Sequence, residues 1–161
     1  VKRLWLALCF AAGLLALQAA QAQDKQSDKY QDTLNKEVKF ITHLQTDLAQ
    51  VKVRKKPLLI LFSQVDCSFC HNVHSQFLKH LALDPKAPVI VREVMQGTPQ
   101  TLGSESADVF CKRMGIKFFP TVVLYDSQLK PLADPLVGSD TSGFYGVYLE
   151  RAVDEAVAAL K

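Results

Sequence analysis

From Tyr30 onward, apolar residues fall into two alternating rhythms along the chain. Leu34, Val38, Ile41, Leu44, Leu48 and Val51 recur at three- and four-residue steps, the spacing of one helix face. A break or short strand near Lys39–Thr42 is compatible with the same pattern, and Pro57 ends it. Leu58 to Phe62 is a continuous apolar run of strand length, which fits a strand covered on both faces. Cys67 to about Leu83 returns to helical spacing, with Cys70, Val73, Phe77, Leu78 and Leu81 on one side, and Asp84-Pro85 and Pro88 close it. Val89 to Met95 reads as a second strand and Gly97-Thr98-Pro99 as a loop. Ser104 is placed to cap a helix whose inner face is Ala107, Phe110, Cys111 and Met114, and Gly115 stops it. Val122 to Tyr125 predicts a third strand. Leu129 to Val137 predicts a fourth, which Pro131 and Pro135 confine to a sheet edge. Gly138 to Gly143 leads into a last helix ending at Lys161. Strands alternating with helices predict an α/β fold: a central mixed sheet of about four strands flanked by helices.

The first 22 residues follow a different logic. Lys2 and Arg3 give a positive start, Leu4 to Leu17 is an apolar core, and Ala20-Gln21-Ala22 is a small-x-small cleavage pattern. The core is shorter than the roughly 20 residues of a membrane-spanning helix. The expected organisation is therefore a cleaved signal peptide over 1–22, a polar lead-in and helix over 23–43, and one domain over 44–161. Such a leader directs the chain out of the cytoplasm, to the periplasm of a bacterium.

Composition narrows the partners. The 161 residues carry a formal net charge of only +3, with no concentrated basic face, so no nucleic-acid partner is expected. Of four cysteines, Cys9 lies in the leader, which leaves Cys67, Cys70 and Cys111. In an oxidising compartment, one close pair and one spare suggest a working pair rather than a stapled mini-protein. Cys111 sits at helical spacing among core residues and reads as a small buried hydrophobe.

The chemistry centres on Cys67-Ser68-Phe69-Cys70, between a buried strand and a helix start. Backbone N–H groups at a helix start favour a thiolate, which makes Cys67 the attacking sulfur and Cys70, one turn deeper, the resolving one. A structural disulfide over so short a loop would constrain little of the unfolded chain. Phe119-Pro120-Thr121, 50 positions beyond Cys70 at Pro120, opens a later strand. His43, His80, Phe144, Tyr145 and Tyr148 carry no functional signal.

Taken together, the cysteine pair and Pro120 resemble the thioredoxin superfamily over about Leu44 to Lys161, and hence a thioredoxin fold. The pattern is similar to sulfur-oxidation-associated periplasmic thioredoxins. Cys67-Ser68-Phe69-Cys70-His71, with Val73-His74, is similar to the catalytic domain of periplasmic disulfide isomerases. The segment before residue 44 looks too short for the dimerisation domain of those isomerases, which favours a monomer. The resemblance implies a thiol–disulfide oxidoreductase that reduces disulfides of secreted proteins, needs no cofactor and draws electrons from a membrane thiol donor. It implies a cis peptide bond at Pro120, and substrate contacts at Phe69, Phe119 and Thr121. Thioredoxin keeps a buried acid six positions before its first cysteine, where this chain has Leu61, so a proton acceptor is missing or supplied elsewhere. Two rivals share the motif. One is an isomerase or oxidant of the same fold. The other is a non-enzymatic metal or haem carrier using Cys67, Cys70, His71 and His74, although ligands this close together would be strained around zinc. No role is assigned to His71 or to the stretch Met95 to Ser106.

Overall fold

Leu58 to Phe62, apolar without interruption, lies at the centre of a four-stranded sheet, every residue of the run buried. This is seen in a computed structural model that describes residues 36–139 and 143–161. The expected signal peptide lies outside the described residues. Strand β1 (Leu58–Gln64) pairs in parallel with β2 (Ile90–Gln96), Leu58 opposite Ile90, and antiparallel with β3 (Thr121–Tyr125), Leu58 opposite Tyr125. The two-residue β4 (Leu136–Val137) closes the order β2-β1-β3-β4.

Because strand side chains alternate, β1 feeds two cores. Leu58, Ile60 and Phe62 meet helices α1 (Leu44–Arg54) and α4 (Ala107–Arg113) on one face, where the Phe62 and Phe110 rings stack at 5.9 Å. Leu59 and Leu61 point the other way. There a helical run of α2 (Ser68–Val73), a π-helical segment (His74–Leu78) and α3 (Lys79–Leu83) packs beside the final helix α5 (Tyr145–Ala159).

The break allowed near Lys39–Thr42 is present, and three other boundaries differ from expectation. The apolar stripe before Pro57 is not one helix: Phe40 forms a parallel bridge with Glu93, Ile41 N–H donates to the Glu93 carbonyl at 3.1 Å, and α1 begins only at Leu44. Val38 and Ile41 are buried all the same, but in opposite cores, because a three-residue step along an extended chain points the two side chains to opposite faces. The expected helix over Cys67–Leu83 holds one wide turn, where Lys79 N–H reaches back five residues to the His74 carbonyl. The cap of α4 is Ser106 rather than Ser104, its hydroxyl accepting from Val109 N–H at 3.3 Å. The fourth strand shrinks to Leu136–Val137, because Pro131 and Pro135 have no N–H to give and only a single bridge joins Tyr125 to Pro131.

The stretch between Met95 and Ser106 is organised around Gln100. Its side-chain oxygen accepts from Met95 N–H at 2.7 Å, and its amide donates to the carbonyls of Ile41 (2.9 Å) and Glu93 (3.2 Å). One side chain thus ties the loop, β2 and the residues leading into α1. Cys111 is buried in the α4 core, where burial pushes its thiol up to about 12.

On β2 the neighbours Arg92 and Glu93 project to opposite faces. Arg92 Nε donates to buried Asp47 of α1 at 2.7 Å, and burial raises the Asp47 carboxyl above its usual value even against that cation. Arg92→Ala should therefore leave an uncompensated buried charge and cost roughly 2–4 kcal/mol at pH 8. The cost should shrink by pH 4, where Asp47 takes up a proton more readily than a free carboxyl. Urea unfolding at both pH values reads the difference; equal losses would refute this reading of Asp47.

Candidate active site

Strand β1 runs out at Gln64, and residues 65–66 turn the chain onto α2. Asp66 adopts φ +57°, a left-handed conformation that Asp tolerates better than branched residues do. Val65 N–H is held by the Gln96 carbonyl at 3.2 Å, and its side chain packs on Gly97 so closely that a Cβ there would lie 2.9 Å from Val65 Cγ2. Gly97 has φ +80°, so both its conformation and its lack of a side chain serve this turn.

Cys67 then occupies the cap position of α2, and its sulfur accepts the Cys70 N–H at 3.1 Å. A disulfide joins Cys67 to Cys70, with 5.2 Å between their Cα atoms. The two sulfurs are unequally placed: Cys67 is half-buried, whereas Cys70 is 4% exposed. Ser68 and Phe69 between them face solvent, Phe69 at 57%.

The Phe119–Pro120 peptide bond is cis. Thr121 begins β3 opposite Phe62 of β1, so Pro120 comes in at the end of the sheet where β1 delivers the cysteines. Pro120 is buried, its carbonyl accepting from Gly138 N–H at 2.7 Å, and Phe119 packs partly into the α4 core. The Thr121 hydroxyl is turned back to the Phe118 carbonyl at 2.8 Å, so its side chain is not offered to solvent. Phe118, which sequence reasoning passed over, is 67% exposed; an aromatic doublet before a proline was the available signal. Phe118 and Thr121 also line an apolar groove of about 250 Å³, with Met114, Ile116 and Val137.

Beneath α2 lies a polar network among apolar neighbours. Glu93 pairs with Leu61 in the sheet register and is 1% exposed. Its two oxygens accept from the Ser63 hydroxyl (2.6 Å) and from Nδ1 of His74 (2.7 Å), itself 1% exposed. Leu61 therefore has a buried carboxylate beside it, supplied by the neighbouring strand. Sequence reasoning missed Glu93, although an acid inside an otherwise apolar strand was a signal in plain view. Glu37, ahead of α1, brings Oε2 to 3.5 Å from His74 Nε2 and bonds Lys79 through Oε1, which holds its carboxyl below the ordinary value. The metal-carrier arrangement does not form: His71 faces solvent, His74 is committed to Glu93, and among the described residues no group of three or more His, Cys, Asp or Glu side chains is arranged around a metal position.

Residues 44–139, more than half of the chain, match the family model of the thioredoxin-like domain. The chain belongs to that family. No curated protein matches it in sequence. Among solved structures, the DsbH oxidoreductase is similar, with 22% identity and a TM-score of 0.50 over 67% of this chain and 79% of that one. A thioredoxin-fold protein from Helicobacter pylori is similar at 19% identity and a TM-score of 0.50, over 65% and 73%. These likenesses concern the fold. Membership of the thioredoxin-like family, together with the Cys67–Cys70 pair at a helix start, makes the chain a thiol–disulfide oxidoreductase.

The three cysteines of the domain should differ in reactivity. After reduction, iodoacetamide at pH 7 should modify Cys67 first and Cys70 slowly. Cys111, with a thiol pushed up to about 12, should react only once the protein unfolds. Peptide mass mapping over time reads the order, and early labelling of Cys111 would contradict the burial described here.

Proposed function

We propose that the chain works outside the cytoplasm as a reductase of disulfides in secreted proteins. The observation that carries this reading is the asymmetry of the cysteine pair: a half-exposed Cys67 at the helix start and a buried Cys70 one turn along. In the dithiol form, Cys67 thiolate attacks a substrate disulfide, forming the mixed disulfide and expelling one substrate thiolate. Cys70 then attacks Cys67 Sγ, closes the pair and releases the second thiolate. Two electrons pass from the dithiol to the substrate.

Phe69 and Phe118 form exposed aromatic shoulders at this end of the sheet, and the Phe119 backbone, set by the cis bond at Pro120, is the edge on which an extended substrate would align. Thr121 contributes through its position at the start of β3. The groove of Met114, Ile116, Phe118 and Val137 offers an apolar trough for neighbouring substrate residues.

A reducing direction is supported by the surroundings of Cys67. A strongly oxidising pair owes its potential to a heavily stabilised reduced form. The bond described at Cys67 Sγ is the Cys70 backbone N–H, a modest stabilisation of the thiolate. The apolar leader of residues 1–22 supports a periplasmic location, and a membrane thiol transporter fits as electron donor. Among the described residues no helix is long and apolar enough to cross a membrane.

Cys67→Ala should abolish dithiothreitol-coupled insulin reduction, whereas Cys70→Ala should accumulate mixed disulfides with substrate, seen as mass adducts that reductant removes. Equilibration of the pair in glutathione buffers should give a potential near or below about −220 mV. A value near roughly −120 mV would make the protein an oxidant and overturn the reductase reading.

A further inference from the structure

Attack on a substrate disulfide depends on where the turn after β1 sets Cys67, and that turn is held by other parts of the chain. Asp66 adopts a left-handed φ of +57°, a sparsely populated conformation that persists only where neighbours fix it. The neighbours come from the end of β2. The register sets Gln64 beside Gln96, and Val65 N–H donates to the Gln96 carbonyl at 3.2 Å. Gly97 follows at φ +80°, against the Val65 side chain. A Cβ on Gly97 would meet Val65 Cγ2 at 2.9 Å, Cγ1 at 3.8 Å and Cβ at 3.9 Å. The backbone and the side chain of Val65 thus rest on consecutive residues, Gln96 and Gly97.

Gly97 is itself held from the other layer of the fold. Helix α4 packs on the sheet face opposite the redox helix, and Asp108 in its first turn accepts the Gly97 N–H through Oδ1 at 2.9 Å. A carboxylate accepting a backbone N–H makes one of the stronger hydrogen bonds a side chain offers. An acid in a first helical turn also complements the helix dipole, but Asp108 directs its oxygen off its own helix to the loop. The other braces of this loop act two positions away. The Gln100 side chain takes the Met95 N–H at 2.7 Å, and the Thr98 hydroxyl donates to the Met95 carbonyl at 2.8 Å. A line of contacts therefore runs from Asp108 through Gly97 and Val65 to the turn that ends at Cys67.

We propose that Asp108 and Gly97 are positioning residues for the attack by Cys67. They seat Val65, and through it the turn that sets the Cys67 sulfur on the Cys70 N–H at the start of α2, where the two lie 3.1 Å apart. The inference rests on the oxidoreductase reading above. A helix-start N–H favours the thiolate of the sulfur it touches. A Cys67 moved off that N–H keeps its proton to higher pH and presents less thiolate to a substrate disulfide at neutral pH. Other titratable groups at this end of the sheet are Cys70 and His71 on α2 and Asp66 in the turn, and every variant below leaves them in place.

Alkylation of Cys67 by iodoacetamide in the full reduced chain, mapped by peptide mass from about pH 4 to about pH 9, reads the pH midpoint of its thiolate without requiring turnover. Gly97→Ala should move that midpoint up by about one pH unit, a fraction of the lowering a helix start gives a cysteine. Alkylation below the midpoint should slow by only about threefold, because a less acidic thiol is a better nucleophile. Val65→Ala added to Gly97→Ala removes both methyl groups in the way and should return most of the shift. Asp108→Ala should move the midpoint in the same direction. Asp108→Asn keeps an acceptor oxygen without the charge and should recover most of what Asp108→Ala loses. Urea unfolding identifies any variant that is not folded; if Gly97→Ala is one, the two Asp108 variants decide. Three results would overturn the positioning role while the enzyme reading stands: a midpoint unmoved in folded Gly97→Ala or Asp108→Ala, a double variant no better than Gly97→Ala, or Asp108→Asn no better than Asp108→Ala. If the unmodified chain exchanges no disulfide with a peptide, the enzyme reading falls and this role with it, whatever the midpoints do.

Discussion

A strand sealed on both faces leaves its backbone only one place to do chemistry, the end where it leaves the sheet. Strand β1 is in that position, with α1 and α4 over one face and the α2–α3 run and α5 over the other. Its pairing with β2 and β3 fixes its direction, so residues 65–66 emerge in one orientation and Cys67 falls on the first cap position of α2. The inequality of the two sulfurs follows directly. A cap residue stands at the rim of a helix, while the residue three positions later turns inward onto the sheet.

The same alternation explains how a small domain accommodates buried charge. Arg92 and Glu93 are adjacent in sequence but a sheet thickness apart in environment, each meeting a partner from a different helical layer. Neither partner is local, with Asp47 and His74 reached only through the tertiary fold. Each pair links β2 to a helix at a defined position along the strand, so the charges fix register as well as neutralise one another. A one-residue slip would turn Glu93 into the α1 core and Arg92 toward the redox helix.

Much of this was legible in the residue pattern. The uninterrupted Leu58–Phe62 run, the Cys67–Cys70 spacing and the proline before β3 each rest on a local rule, and local rules survive folding. The losses share a different cause. Val38 and Ile41 keep helical spacing while the chain beside them pairs with Glu93, because pairing with β2 wins over a periodicity that is only three residues deep. The fourth strand was overdrawn because hydrophobicity extends from Leu129 to Val137 while hydrogen-bond donors do not. Glu93 and Gln100 escaped notice, and His74 was weighed only as a metal or haem ligand, because their meaning lies in contacts made across 7 to 59 positions of sequence.

The bridge at Phe40 lies ahead of residue 44, where the family match starts. It takes up the outer backbone of Glu93, and Gln100 fastens the carbonyls on both sides of that junction. Trimming the protein to the matched segment would therefore strip this border from β2 and leave the Glu93 N–H without its partner, the Lys39 carbonyl. An apolar parallel strand left open in that way invites a second molecule to add its own. The few residues around Phe40 thus act as a selvedge, the finished margin that keeps one sheet from being sewn to the next.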